Sequence, residues 1–342
     1  MAHNPKLEVY QVWINSINGE NKTFRDFTKE VISISSESQN NQQDELSNSY
    51  YFLDLFKTFI HKVDNDSFIL NQRKQKAFTA YDTRPAGEEE PSITPHSDAF
   101  IIEGTIDGGR YGQRRTKSSL DNKLEKEDVV RENIILDKFY FFLYTPMNSD
   151  LGILFIQSYS TDSISDIFTD FISRFFSAQK LYRKARIEKF VPKRIVEEFK
   201  NHSCIKKFSF SNRFVFNQLS ENPIGTETEE FIIKIEAVAK NGLPKNALKN
   251  WINTMGEKIF SNKKLENFNN GKVYLQDLNS KKESPFDISS DLDIKPIIYL
   301  EDRITVDDDG IPNFIELKNY CTLLLNNEII PEMYPSNEVR EC

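Results

Sequence analysis

Apolar residues at Phe52, Leu55, Phe56, Phe59, Ile60 and Val63 recur at the i, i+3, i+4, i+7, i+8, i+11 spacing of one helical face. The chain from Tyr51 onward therefore reads as an amphipathic helix. A second stripe, Ile164, Ile167, Phe168, Phe171, Ile172, Phe175 and Phe176, predicts another, with Ser163 and Asp166 at capping-box spacing although Asp replaces Glu or Gln. Residues 7–17, rich in β-branched and aromatic types, place Val12 and Ile14 on one face and Trp13 on the other, as a buried first strand would. A strand is expected at 99–106. The strongest strand pair lies at 138–145 and 151–159, joined by Pro-Met-Asn-Ser-Asp, a polar link short enough to make it an antiparallel hairpin.

Other segments have patterns of their own. Residues 35–49 are almost all Ser, Asn, Gln and acid, and 83–97 collect Pro and Gly around three glutamates, so both read as loops. Pro192 suits the first turn of a short helix at 193–200, with Ile195, Val196 and Phe199 inward. Alternation through Phe208, Phe210, Phe214 and Phe216 predicts a strand at 205–216, followed by an acidic turn at 220–230 and a strand at 231–239. Further expectations are a helix at 244–260, strands at 273–278, 296–300 and 304–306, and a final helix at 313–330. The fold class that follows is α+β, with mixed, largely antiparallel sheets and packed amphipathic helices in one large or two similar-sized domains. The expected division is 1–185, built on the hairpin-helix nucleus, and 186–342, with an acidic C-terminal part.

Composition narrows the class. At 342 residues and 38% apolar content, the chain buries roughly 75% of its unfolded surface and needs neither metal nor disulfide to hold a core. No apolar run approaches the roughly 20 residues of a membrane-spanning helix, and the start carries no basic-then-apolar signal, so no membrane and a cytoplasmic home are expected. Cys204, Cys321, Cys342 and the four histidines are scattered without metal-ligand spacing, and neither metal nor cofactor is expected. Abundant Asn, Lys, Ile and Phe point to an AT-rich bacterial or phage genome. The chain's general appearance is similar to accessory proteins of bacterial mobile elements and phage-defence loci, a likeness that no motif carries.

Charge is the most informative feature. The net charge of −8 hides a run from Arg174 to Arg213 with twelve Lys and Arg against three acids, and another from Arg110 to Lys126 with six against two. Residues 283–342 hold fourteen acids and four bases. A basic stretch in an acidic protein is the footprint of a surface that meets phosphates. The candidate nucleic-acid contacts are Arg110, Arg114, Arg115, Lys117, Lys180, Arg183, Lys184, Arg186, Lys193 and Arg194. On this reading Lys180, Arg183, Lys184 and Arg186 extend the second amphipathic helix beyond its apolar stripe. The first four would decorate a tight Asp-Gly-Gly turn, in which Gly108 and Gly109 take backbone angles that other residues avoid. The same bases could instead be a solvated face or meet the chain's own acidic half.

No catalytic residue can be named. Neither a nucleotide-binding glycine fingerprint nor a Gly-x-Ser-x-Gly elbow is present. Asp287 with Asp293 and Lys295 matches a metal-dependent nuclease poorly. Asp307-Asp-Asp-Gly310 lacks the spacing of a calcium loop and reads as a turn. His96, just before a strand, is the one histidine in a site-forming loop, though without a partner that the sequence names. The leading expectation is a non-enzymatic protein that binds DNA or RNA, of the kind found as a subunit of a defence or mobile-element complex. Its rivals are a scaffold that uses segregated charge to meet an acidic protein or a second copy of itself, and a nuclease with dispersed carboxylates.

Overall fold

In the computed structural model, described for residues 4–32, 47–64, 67–80, 92–119, 121–122, 124–160, 162–219, 226–243, 270–278, 283–287 and 296–334, the fold is α+β. The helix expected at 244–260 lies outside the described residues, as do most of the two expected loops. The chain opens with β1 (Pro5–Ser16), α1 (Phe24–Phe27), α2 (Asn48–Val63), β2 (Ile69–Asn71), β3 (Lys76–Thr79) and β4 (Ile93–His96). Next come β5 (Ile101–Arg110), β6 (Arg115–Ser118), β7 (Lys126–Val129), β8 (Ile135–Tyr144), β9 (Leu151–Tyr159), α3 (Ser165–Phe175) and β10 (Tyr182–Phe190). A second run holds α4 (Lys193–His202), β11 (Ser203–Leu219), β12 (Thr226–Leu243), β13 (Asn270–Asp277) and β14 (Glu283–Asp287). Last are β15 (Ile298–Tyr299), α5 (Phe314–Leu324) and α6 (Ile330–Met333).

These elements form two compact units, 1–190 with 298–342 and 191–297. The consecutive division expected at 185 gives way to an inserted second unit, because the C-terminal segment returns to the first through pairing of β15 with β1. In the larger unit the antiparallel strands run β10-β1-β9-β8-β5-β3-β2, with β4 and β15 attached to β5 and β1. In the smaller unit the order is β12-β11-β13-β14. Its β11 and β12 pair over most of their length, and Phe208 is buried.

Sheet faces in the larger unit follow from alternation. Phe139, Phe141, Leu143, Leu154 and Ile156 join Val12 and Ile14 in a core covered by α1, α2 and α3. Their neighbours face the other way and are covered by α5 and α6: Phe314 stacks on Tyr140, Tyr334 meets Tyr144 edge-on, and Gln11 donates to the Met333 sulfur. All nine residues of β9 are buried, since both of its faces are covered. Helix α3 lies between the edges of this sheet. Its Ser173 hydroxyl donates to the Ala185 carbonyl of β10 at 2.7 Å, while Phe168 and Phe171 meet Phe78 of β3. Strands five places apart thus flank one helix, so the sheet curls around it.

Several local expectations change. Ser163 does not cap α3; its hydroxyl accepts from Ser165 N, and Asp166 is held by Lys74 and Lys76 at 2.9 Å each. The capping box forms instead at Thr23 and Asp26 of α1. Asp107-Gly-Gly-Arg110 is the end of β5 rather than a turn, and neither glycine has positive φ. Gly109 is required by proximity: a Cβ there would lie 1.8 Å from the Ile135 carbonyl oxygen of β8. The 304–306 strand reduces to one bridge, Val306 to Pro312, across a turn in which Asp307 accepts from Asp309 N and Ile311 N.

Phe168 is fully buried, whereas Phe171, also expected inside, is only half-buried because its outer flank borders a cleft. Phe168→Ala should lower the unfolding free energy by about 3–5 kcal/mol in urea titrations, and Phe171→Ala by clearly less. Gly109→Ala should destabilise as well, since the added carbon forces β5 and β8 apart. Wild-type stability in that variant would show that the strands do not meet there.

Candidate nucleic-acid interface

The structure divides the ten basic candidates by their neighbours. Arg110, at the end of β5, lies 3.7 Å from Asp162. In the β6–β7 ribbon Lys117 pairs with Glu127 directly opposite at 2.8 Å, and Arg114 reaches Asp128 at 3.3 Å. Hydrogen bonds from Thr116 and then Arg114 hold the Asp128 carboxyl below its usual range. Arg115 stands in register with Val129. Arg110, Arg114 and Lys117 thus find acids among their own neighbours rather than in the acidic C-terminal part. Lys193 and Arg194 are exposed in the first turn of α4, in the second unit.

Lys180, Arg183, Lys184 and Arg186 are not on a helix. Helix α3 ends at Phe175, where its apolar stripe runs out, and Lys180 takes φ 70° in a turn closed by the Ala178–Tyr182 bridge. Strand β10 then buries Tyr182 and Ala185 and gives β1 its second partner. Arg183, Lys184 and Arg186 stand exposed on this edge strand. Register puts Arg186 opposite Trp13 and Arg183 opposite Asn15, on the face away from Val12 and Ile14. Pairing slips between these positions, leaving Lys184 and Ala185 against Ile14 as a bulge that turns Ala185 inward.

The Arg186 guanidinium lies 4.3 Å from the centre of the half-buried Trp13 ring, a cation–π contact, and 3.4 Å from Glu188. Lys180, Arg183 and Lys184 make no ion pair among the described residues. Beside them Ile17 and Leu181 are exposed, at 38% and 43%. The edge therefore offers an indole braced by a cation, with three charges that form no ion pair among the described residues placed along the same strand and the turn before it. Trp13 was missed as a site residue because a strand pattern assigns an aromatic to packing; its pairing with Arg186 is visible only in the register.

A second cluster lies under α5. Glu103 of β5 is 8% exposed in its side chain and takes Lys318 Nζ at 2.5 Å and His96 Nε2 at 2.9 Å on one oxygen, and the Tyr140 hydroxyl on the other. Burial alone would push the Glu103 carboxyl up, but the bonds from Lys318, Tyr140 and His96 outweigh it and hold it below its usual range. Burial, helped by the nearby carboxylate, raises the thiol of fully buried Cys321. His96 thus has the partner that the sequence could not name. The cluster ties α5 to the sheet through charge-assisted bonds. Among the described residues no group of three or more His, Cys, Asp or Glu is placed to hold a metal, and no helix is long and apolar enough to cross a membrane. Comparison with known families, curated proteins and solved structures finds no match.

Because the folded Glu103 carboxyl lies below its unfolded value of about 4.3, its ionised form contributes stability above that pH. The contribution is lost as pH falls through the depressed folded value. Glu103→Gln should therefore cost about 3 kcal/mol at pH 7 and approach wild-type stability as the pH drops below about 4, read from denaturant midpoints. A gap of constant size across that range would mean that the carboxylate charge does not hold α5.

Proposed function

We propose that this protein binds nucleic acid through the β10 edge of its larger sheet, as a binding protein rather than an enzyme. The observation that carries the reading is that Lys180, Arg183 and Lys184, none of which forms an ion pair among the described residues, lie along the same β10 edge as the Trp13–Arg186 stack. Uncompensated bases neutralise phosphates, and an aromatic ring beside them accepts a base by stacking. The arm residues Arg114 and Lys117 contribute less, because each would first have to leave a carboxylate. Bases on an edge strand have a second physical use, which is to keep one sheet edge from pairing with another.

The experiment separates the two uses. Lys180→Gln, Arg183→Gln and Lys184→Gln together should weaken binding of a short single-stranded DNA or RNA at low salt. The slope of log K against log salt should become shallower by roughly 2–3, with the melting temperature unchanged. Trp13→Ala should remove about 1–3 kcal/mol of binding free energy. If the wild-type chain binds no oligonucleotide at low salt, and the triple variant instead self-associates on a sizing column, the charges guard the edge and the proposal is wrong.

A further inference from the structure

Helix α3 seals unequally against the two sheet edges. On the β10 side Ser173 bonds the Ala185 carbonyl, but on the β2 side Ile167, Asp170, Phe171 and Arg174 stand back from β2 and leave an open cleft of about 320 Å³. The half-buried Phe171 provides its aromatic floor, backed by the fully buried Phe78 with its ring centre 5.6 Å away and nearly perpendicular. The rim is polar from both sides. Asn71 uses its Oδ1 to accept from Lys74 N at 3.1 Å, which leaves its NH₂ group to donate elsewhere. Gln72 is exposed and makes no side-chain hydrogen bond among the described residues. Across from them Asp170 and Arg174 form an i, i+4 ion pair.

The geometry points to a nucleobase site in this cleft. A flat heteroaromatic ring fits an aromatic floor, and its edge alternates donors and acceptors that carboxamides, a carboxylate and a guanidinium can match. A saturated chain or an apolar protein side chain would cover the same floor while leaving the Asn71 NH₂ group and the Gln72 carboxamide without partners, at a cost for each. The volume suits a base with part of its sugar. One source of such a ring is a single strand held at the basic edge. In that form the inference rests on the β10 reading and makes the ligand single-stranded, because a paired base cannot enter. A free nucleoside would offer the same ring without that dependence.

The probes are a twelve-nucleotide single-stranded poly(dC), an abasic strand of the same length, and the four free nucleosides. The double variant Gln72→Ala/Asp170→Ala changes only partly or fully exposed side chains, and its melting temperature is recorded as a folding control. Wild type should hold poly(dC) about tenfold tighter than the abasic strand. The double variant should narrow this ratio to about threefold or less while keeping the salt slope, and Trp13→Ala should leave the variant's effect intact. Nucleosides that shift the Asn71 and Gln72 amide signals in wild type but not in the variant would identify free nucleosides as a source of the ring. If the double variant leaves the ratio unchanged and no nucleoside shifts those signals, the cleft is not a base site, while salt-dependent binding at β10 still stands. If nucleosides shift the signals but no strand binds at low salt, the cleft assignment holds and the β10 reading falls.

Discussion

Strand β9 has no exposed residue, and the rest of the larger unit is arranged around that requirement. A sheet whose central hairpin is apolar on both faces must be covered twice, since an uncovered face would leave several large side chains in water. One cover comes from the neighbouring sequence, as α1, α2 and α3. The other has to come from elsewhere, and it is the C-terminal segment that returns after the inserted unit to lay α5 and α6 over Tyr140, Tyr144 and Leu151. Burial of Glu103 is a consequence of this second cover. A carboxylate on the outer face of β5 becomes enclosed when α5 docks, and it stays ionised because α5 brings Lys318 while β4 and β8 bring His96 and Tyr140. The polar cluster thus registers the helix on a surface that is otherwise apolar.

The two basic stretches show how pairing decides what a charge is free to do. Both are dense in Lys and Arg. In the β6–β7 ribbon the strand opposite carries Glu127 and Asp128, and the bases find them at cross-strand positions. On β10 the strand opposite offers Trp13, Asn15 and Gln11, none of them charged. Arg186 therefore turns to an aromatic ring and to Glu188 of its own strand, and Lys180, Arg183 and Lys184 form no ion pair among the described residues. Local charge counts of the same sign give a neutralised arm in one place and an electropositive edge in the other.

Helix α3 links the two candidate surfaces. It reaches both ends of the curled sheet, closing against β10 and standing off from β2. That asymmetry has a simple origin in its sequence: Ser173 is small enough to bring the helix against the β10 backbone, while Phe171 and Arg174, on the flank toward β2, are too large to permit a close approach. The same helix end also leads directly into the Lys180 turn, so its position sets where the basic edge begins.

By itself the sequence determined the α+β class, the amphipathic faces of α2 and α3, the β8–β9 hairpin and the location of basic density, because each depends on a period or a count within a short window. It failed at 180–186, where a helical continuation and an edge strand both leave the charges exposed and only the need of β1 for a second partner chooses between them. It failed at Gly109 for a related reason: a glycine required by the approach of another strand looks like a glycine required by a turn until that strand, 26 residues away at Ile135, is in place. Glu103 with Lys318, and Trp13 with Arg186, are pairs separated by most of a domain. Their chemistry arises from register and docking, which are set by the burial of the whole sheet, and so only the tertiary structure decided them.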